Sequence, residues 1–330
     1  MNKQEAVNLL LHKKNKEPVR ESATAFAPTN IALIKYWGKR DEELNLSLTN
    51  SLSITLPNKG ATTTIKINNK NEDEVFLNHQ KIDPASEFFH RLISFLNLFR
   101  PSMKVYYQLH TEVNIPVAAG VASSACGFAA LVKALNILYD WNCEPSELSI
   151  LSRLGSGSAC RSLWNGFVEW EKGSKANGMD SFGHPLSLKW KGFCVGLLLL
   201  NVEKKLISSR KAMRLTKETS PLYKTWPQQV ENDLIEIKQH LEHKNFDGVG
   251  RVAECNAEAM HLSMKNAVPS IDYASSETLA FIQKIKKLRK EGLSLYYTQD
   301  AGPNLKLLFL EKDIEIIQQQ FEDVEIIKVF

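Results

Sequence analysis

The stretch NIPVAAGVASSACGF, residues 114–128, decides how the rest of the chain is read. A strand, KVYYQLHTEV at 104–113, runs into a proline, and small residues follow at Ala118, Ala119, Gly120, Ala122, Ser123 and Ser124. A helix begins at once, with Phe128, Leu131, Val132, Leu135, Leu138 and Tyr139 recurring on one face. Short side chains let backbone N–H groups come close to a ligand, and a helix N-terminus adds positive potential there. The Ser123 and Ser124 hydroxyls can donate to phosphate or ligate Mg²⁺ bound to it. The same composition also describes an ordinary N-capped helix packed closely through small residues. No GxxxxGK[ST] motif occurs, so this is not the P-loop of nucleotide hydrolases.

Three other stretches carry chemistry. GSGSACRS at 155–162 places two Gly-Ser pairs before an expected helix with Arg161 about one turn in, either a second anion cradle or a flexible loop with a surface arginine. YYTQDAGPN at 296–304 ends an apolar strand with Asp300, either a hairpin turn with an Asx-type aspartate or a carboxylate available as a general base. In NIALIKYWGKRDEE, 30–43, alternation along a strand puts Ile31, Leu33, Lys35 and Trp37 on one face. An ammonium beside buried apolar residues needs an anionic partner.

A length of 330 residues suits two intimately packed domains. The 43% hydrophobic and 24% charged content is that of a soluble globular protein. A net charge of +4, without a basic run interleaved with aromatics, permits an anionic ligand and points away from nucleic acid. Five cysteines (126, 143, 160, 194, 255) form no CxxC pair, and the histidines form no HxxxH arrangement; reduced thiols in the cytoplasm and no zinc site are expected. FCVGLLLL, 193–200, is far short of the roughly 20 residues a membrane span needs. The polar start lacks a signal-peptide core and is either a short amphipathic helix on the body or a loose arm.

Residues 25–80 read as strands, among them NSLSITLP and ATTTIKIN as a separate pair, and 85–99 as a helix with Phe88, Phe89, Leu92, Ile93 and Leu96 on its apolar face. EPSELSILSRLG is a helix; GFVEWEK and FCVGLLLLNV are strands. Helical patterns follow at 206–218, 227–243, 246–264 and 275–291, then two strands joined by DAGPN, a last helix and a last strand. The architecture is α+β, with a soft domain border near 190–200.

Taken in order, APTNIALIKYWGKRDEELNL, NIPVAAGVASSACGF, GSGSACRSLWNGFVEW and YTQDAGPN resemble the GHMP small-molecule kinase superfamily. Within it they resemble the mevalonate diphosphate decarboxylases, because KYWGKRD together with GSGSACRS is specific to that branch. The resemblance runs from about residue 24 to near the end, more weakly through KKLISSRKAM at 204–213. It implies a two-domain fold, ribosomal protein S5-like at the N-terminus and ferredoxin-like at the C-terminus, with an arm at 1–22 and domains at 23–195 and 196–330. It implies ATP-dependent conversion of mevalonate 5-diphosphate to isopentenyl diphosphate, with ATP and Mg²⁺, in a cytoplasmic homodimer.

By the same resemblance Asp300 and Lys35 are catalytic. Tyr36, Trp37, Gly38, Lys39, Ser156, Gly157, Ser158, Ala159, Cys160, Arg161, Ser209 and Arg210 would meet the substrate. Ala119, Gly120, Val121, Ala122, Ser123, Ser124, Ala125 and Ser208 would meet ATP, with Ser124 the candidate ligand of its Mg²⁺. Ser47 and Thr49 stand where the family usually has proline and asparagine. Ser86 stands where it has a substrate-reaching arginine, although Arg91 lies one to two turns on. That departure leaves open a decarboxylase of mevalonate 5-phosphate. A kinase without decarboxylation and a catalytically silent homologue are the remaining alternatives.

Overall fold

The computed structural model describes residues 1–101, 104–115, 123–200 and 207–330, with Ser123 described by its backbone alone. Two antiparallel-dominated sheets form its frame. In the N-terminal sheet the order is Gln80–Lys81, Glu74–Leu77, Tyr107–Val113, Ser51–Ile67, Phe167–Trp170 and Gly183–Pro185, and Ser22–Ile34 also pairs with Ser51–Ile67. The apolar face of the helix Ser123–Leu138 lies on this sheet, and Leu131, Val132, Leu135 and Leu138 are buried in the shared core. That long apolar stripe is what anchors the helix N-terminus beside the site.

NSLSITLP and ATTTIKIN are not separate strands but the two halves of Ser51–Ile67. The partner strand pairs Pro28 with Gly60 and Thr29 with Leu56, so residues 57–59 have no opposite number. Pro28 has no N–H to give the ladder, and the irregularity falls there. Gly60 is needed at this point, since a Cβ would lie 2.1 Å from the Ala27 carbonyl oxygen.

The C-terminal sheet is antiparallel throughout, in the order Tyr296–Gln299, Leu305–Leu310, Phe193–Leu198, Glu325–Lys328. On one face Leu305, Leu307 and Phe309 join Ile285 and Ile317 in a small core beneath the helices Ser276–Lys290 and Ile314–Gln320. The other face, carrying Val195 and Leu308, merges with the core of the N-terminal sheet. The helices Ser209–Thr219, Trp226–Glu242 and Phe246–Lys265 complete the domain. The outcome is a two-domain α+β fold, as the resemblance implies.

Three local expectations need correction. GSGSACRS does not open an α-helix; Gly157–Arg161 is a 3₁₀ turn, kept short by its Gly and Ser residues. The helix near 85–99 spans Glu87–Leu96 and buries Leu92, Phe95 and Leu96, whereas Phe88, one turn earlier on the same face, is exposed at the mouth of a cavity. The Gly183–Pro185 strand carries no alternation signal in the sequence. The polar start is ordered: Asn2 and Glu5 form a capping box on the helix Lys3–Leu11, which buries Ala6 and Val7. Among the described residues no helix is long and apolar enough to cross a membrane.

Candidate active site

The strand Ser22–Ile34 stops one residue before Lys35, so the lysine leaves the strand rather than alternating within it. Its backbone N–H donates to Asn256 Oδ1 at 2.8 Å, on the helix Phe246–Lys265 of the other domain. Asn256 is itself held by Asp233, 2.7 Å away. The side chain is buried, and Nζ donates to the Ala32 carbonyl at 3.0 Å and to Asp300 Oδ1 at 2.8 Å. Thr298 of the C-terminal sheet donates to the same Ala32 carbonyl at 3.1 Å. Burial pushes the Lys35 ammonium below its usual range, and Asp300 opposes that shift.

Asp300 sits at the first turn position after Tyr296–Gln299, which pairs back on Leu305–Leu310. The segment is therefore a hairpin turn, with Asp300 at its start. The Gly302 N–H donates to the Asp300 carbonyl at 2.7 Å, Thr278 donates to the Pro303 carbonyl at 2.9 Å, and Gln299 donates to the Gly302 carbonyl at 2.8 Å. His261 Nε2, 3.2 Å from the Asp300 carbonyl, must carry the proton there, because a carbonyl only accepts. Lys306 Nζ lies 3.2 Å from Oδ2. The carboxylate side chain is 23% exposed, against 2% for each lysine, so the acid alone reaches open space. Burial would raise its carboxyl pKa, but Lys306 and Lys35 outweigh that and hold it well below the usual range.

Arg161 is buried, not at the surface. Its Nε and Nη2 each lie 3.3 Å from Asn30 Oδ1, its Nη1 donates to Ser51, and the guanidinium sits 5.9 Å from the Trp170 ring centroid. Among the described residues no carboxylate pairs with it, and burial lowers its pKa. Asn30 also donates to the Ser158 carbonyl at 3.1 Å and to Ser162 Oγ at 2.7 Å, fixing the turn. Three buried cations thus face one carboxylate, an arrangement that wants a further anion.

The other candidates fall into groups. Tyr36 packs edge-on against Trp170, 4.7 Å between centroids, and its buried hydroxyl has no partner among the described residues. It points toward Gly157, where a Cβ would lie 2.8 Å from that oxygen. Lys39 is buried and bonds Glu42 at 2.7 Å. Ser156 Oγ lies 3.4 Å from Ser124 Oγ, bringing the two cradles together. Arg210 Nη2 donates to the Gly155 carbonyl at 3.0 Å, Ser208 caps the helix Ser209–Thr219, and Ser209 is half-buried at its start. Trp37, Ala125, Ala159 and Cys160 turn their side chains into the core, and the Cys160 thiol is pushed up to about 12 by burial; only their backbones could meet a ligand. Ala119, Gly120, Val121 and Ala122, and the side chain of Ser123, lie outside the described residues.

Ser86 is a helix N-cap, accepting the Phe89 N–H at 3.2 Å. Arg91 instead stands 5.2 Å from the Phe128 ring centroid, with its pKa lowered to about 10 by burial and by the nearby charge of Arg210. Both Arg91 and Ser124 line a cavity of ≈ 310 Å³ whose other walls include Val75, Leu92, Leu109 and Phe128. Sequence reasoning missed Lys306, Asn256, Asn30 and His261. A lysine interrupting LKLLFLE was the one available signal, the same kind of misplaced charge that singled out Lys35.

Comparison with known proteins gives the family. Residues 27–183 match the diphosphomevalonate decarboxylase-like N-terminal domain, and 195–327 match the mevalonate 5-diphosphate decarboxylase C-terminal domain. The chain is 34% identical to the diphosphomevalonate decarboxylase of Aspergillus fumigatus over 316 residues, 89% of this chain and 78% of that protein. It superimposes on the mevalonate diphosphate decarboxylase of Staphylococcus aureus with a TM-score of 0.88 at 32% identity, covering 94% of this chain and 96% of the other. A complex of the protein called MDDEF with MVAPP, AMPPCP and magnesium gives 0.86 at 35% identity, covering 93% and 96%. The chain belongs to the mevalonate 5-diphosphate decarboxylase family, on the GHMP kinase fold.

Proposed function

We propose that this chain catalyses the ATP-dependent decarboxylation of mevalonate 5-diphosphate to isopentenyl diphosphate, releasing ADP, phosphate and CO₂, within isoprenoid biosynthesis by the mevalonate pathway. The observation that carries this reading is the Lys35–Asp300 contact of 2.8 Å across the domain border, beside a buried Arg161 with no counter-ion among the described residues. Hydroxide is a poor leaving group, so phosphorylating the tertiary 3-hydroxyl prepares its departure. The C–O bond then breaks with loss of phosphate, the bond to the carboxylate breaks with loss of CO₂, and that electron pair forms the new double bond.

Asp300 orients the hydroxyl and receives its hydrogen bond, while Lys35 offsets negative charge on the transferring phosphoryl group. Tyr36, Lys39, Ser156, Ser158, Arg161 and Arg210 hold the substrate, with Ser209 beside them; Trp37, Gly38, Gly157, Ala159 and Cys160 contribute backbone. The ≈ 310 Å³ apolar cavity next to Ser124 suits the base of ATP, whose phosphates then meet the start of the helix Ser123–Leu138. Among the described residues no cluster of three His, Cys, Asp or Glu could hold a metal. Ser124 is the residue that would hold a Mg²⁺ that arrives with ATP. When bound, the ion offsets charge on the phosphate chain.

The division into an arm at 1–22 and domains at 23–195 and 196–330 belongs to the same reading, as do a homodimeric state, testable by light scattering, and a cytoplasmic location, testable by fractionation. A second reading, action on mevalonate 5-phosphate, is favoured by one observation: Ser86 caps a helix where the resemblance calls for an arginine. Comparing kcat/KM for the two substrates decides between them. A preference for the diphosphate of at least about tenfold, roughly 1.4 kcal/mol, is expected; a preference for the monophosphate overturns the first reading.

A further inference from the structure

Lys306 has no part in the mechanism above, yet it is the second cation on Asp300. It lies in Leu305–Leu310, an interior strand flanked by Phe193–Leu198 and Tyr296–Gln299, opposite Leu197 and Thr298. Its neighbours Leu305 and Leu307 point into the helix-covered core, so alternation turns Lys306 to the face shared with Leu308, toward the other domain. At 1% exposure a lysine there is expensive to bury without an anion. Its Nζ reaches the Asn304 carbonyl at 3.4 Å and Asp300 Oδ2 at 3.2 Å. A packing role alone would be better served by leucine.

The groups facing Asp300 are Lys35 from the end of the first strand, Lys306 from its own hairpin, Arg161 from the 3₁₀ turn and neutral His261 from the helix Phe246–Lys265. None of them is anionic. Lys35 takes Oδ1 and Lys306 takes Oδ2, so the carboxylate cannot rotate about its terminal torsion without breaking one contact. With Lys35 alone it would turn freely about a single ion pair.

We propose that Lys306 is a positioning residue of the reaction: its ammonium grips Oδ2 of Asp300, fixes the carboxylate plane against Lys35, and keeps the carboxylate charged where the reacting hydroxyl arrives. The proposal rests on the reaction assigned above for its kinetic consequence, but its hold on Asp300 is measurable without turnover.

The test uses the full chain with ¹³C-carboxyl aspartate, the Asp300 resonance being assigned through Asp300→Asn. In the wild type this resonance stays at its ionised position to the acid limit of folding. In Lys306→Gln, which keeps a donor one bond shorter but loses the charge, its midpoint moves up by about 1–3 pH units. In Lys306→Met, kcat falls at least about tenfold with the KM for ATP unchanged within about twofold. The acid limb of the rate profile moves up in step, and Lys306→Arg recovers most of both losses. If Lys306→Met does not fold, Lys306→Gln carries the kinetic arm as well.

An unmoved Asp300 resonance in folded Lys306→Gln overturns the proposal, and so does a wild-type kcat and pH profile in either folded variant. Failure of the functional reading shows separately, as a wild-type chain that releases no CO₂, while the resonance still decides what Lys306 does.

Discussion

Lys35 owes its place to charge rather than to strand pattern. A buried ammonium with two acceptors, one of them Asp300, is stable only while that carboxylate is ionised. Replacing Asp300 by Asn leaves Lys35 and Lys306 facing each other without an anion. Asp300→Asn is therefore expected to lower kcat by about 10²–10⁴ and to lower stability by roughly 3–5 kcal/mol. Nucleotide affinity should change less than about twofold, because the cavity beside Ser124 does not include this residue. Steady-state kinetics, nucleotide titration and a denaturant melt read the three quantities. Equal losses in kcat and nucleotide affinity would make Asp300 a structural turn residue instead. Arg161 shows the same logic in reverse, a buried cation solvated by Asn30 and Ser51 and paired with no carboxylate among the described residues.

At the scale of elements, the segment after the first strand is shaped by a glycine. Gly38 has φ +131°, a conformation that L side chains rarely adopt, and a Cβ there would fall 1.7 Å from the Tyr223 hydroxyl. That hydroxyl donates to the Trp37 carbonyl at 2.8 Å and so ties the segment to the C-terminal domain. Gly38→Ala should cost about 2–4 kcal/mol, and Tyr223→Phe about 1 kcal/mol. The double variant should lose less than the sum, since both act on one contact. Urea melts of the three variants check this, and additive losses would contradict it. The elements themselves were largely legible. Helix existence followed from apolar stripes, and the DAGPN hairpin from its turn residues. The join of 51–67 into one strand was not legible, because Pro57, Asn58 and Lys59 read as a turn when their partner strand is unseen. Nor was the 3₁₀ turn at 157–161, where glycine and serine fit several local conformations equally well.

Over the whole molecule the two domains share one apolar core and are cross-linked at the site. Lys35 meets Asn256 and Asp300, Thr298 meets Ala32, Lys217 donates to the Lys39 carbonyl at 2.6 Å, and Lys238 pairs with Glu169 at 2.8 Å. Calorimetry of the unliganded chain should therefore show one cooperative transition, and two resolved transitions would contradict a shared core. The site was only half legible for the same reason. Lys35, Arg161 and Asp300 could be named from their segments, but Lys306, Asn256 and His261 gain their meaning only when distant elements converge. The central claim is that this converged site couples phosphoryl transfer to decarboxylation. The direct measurement follows ADP, phosphate and CO₂ together after mixing the chain with ATP, Mg²⁺ and mevalonate 5-diphosphate. The account predicts one-to-one-to-one release, and ADP formed without CO₂ would contradict it.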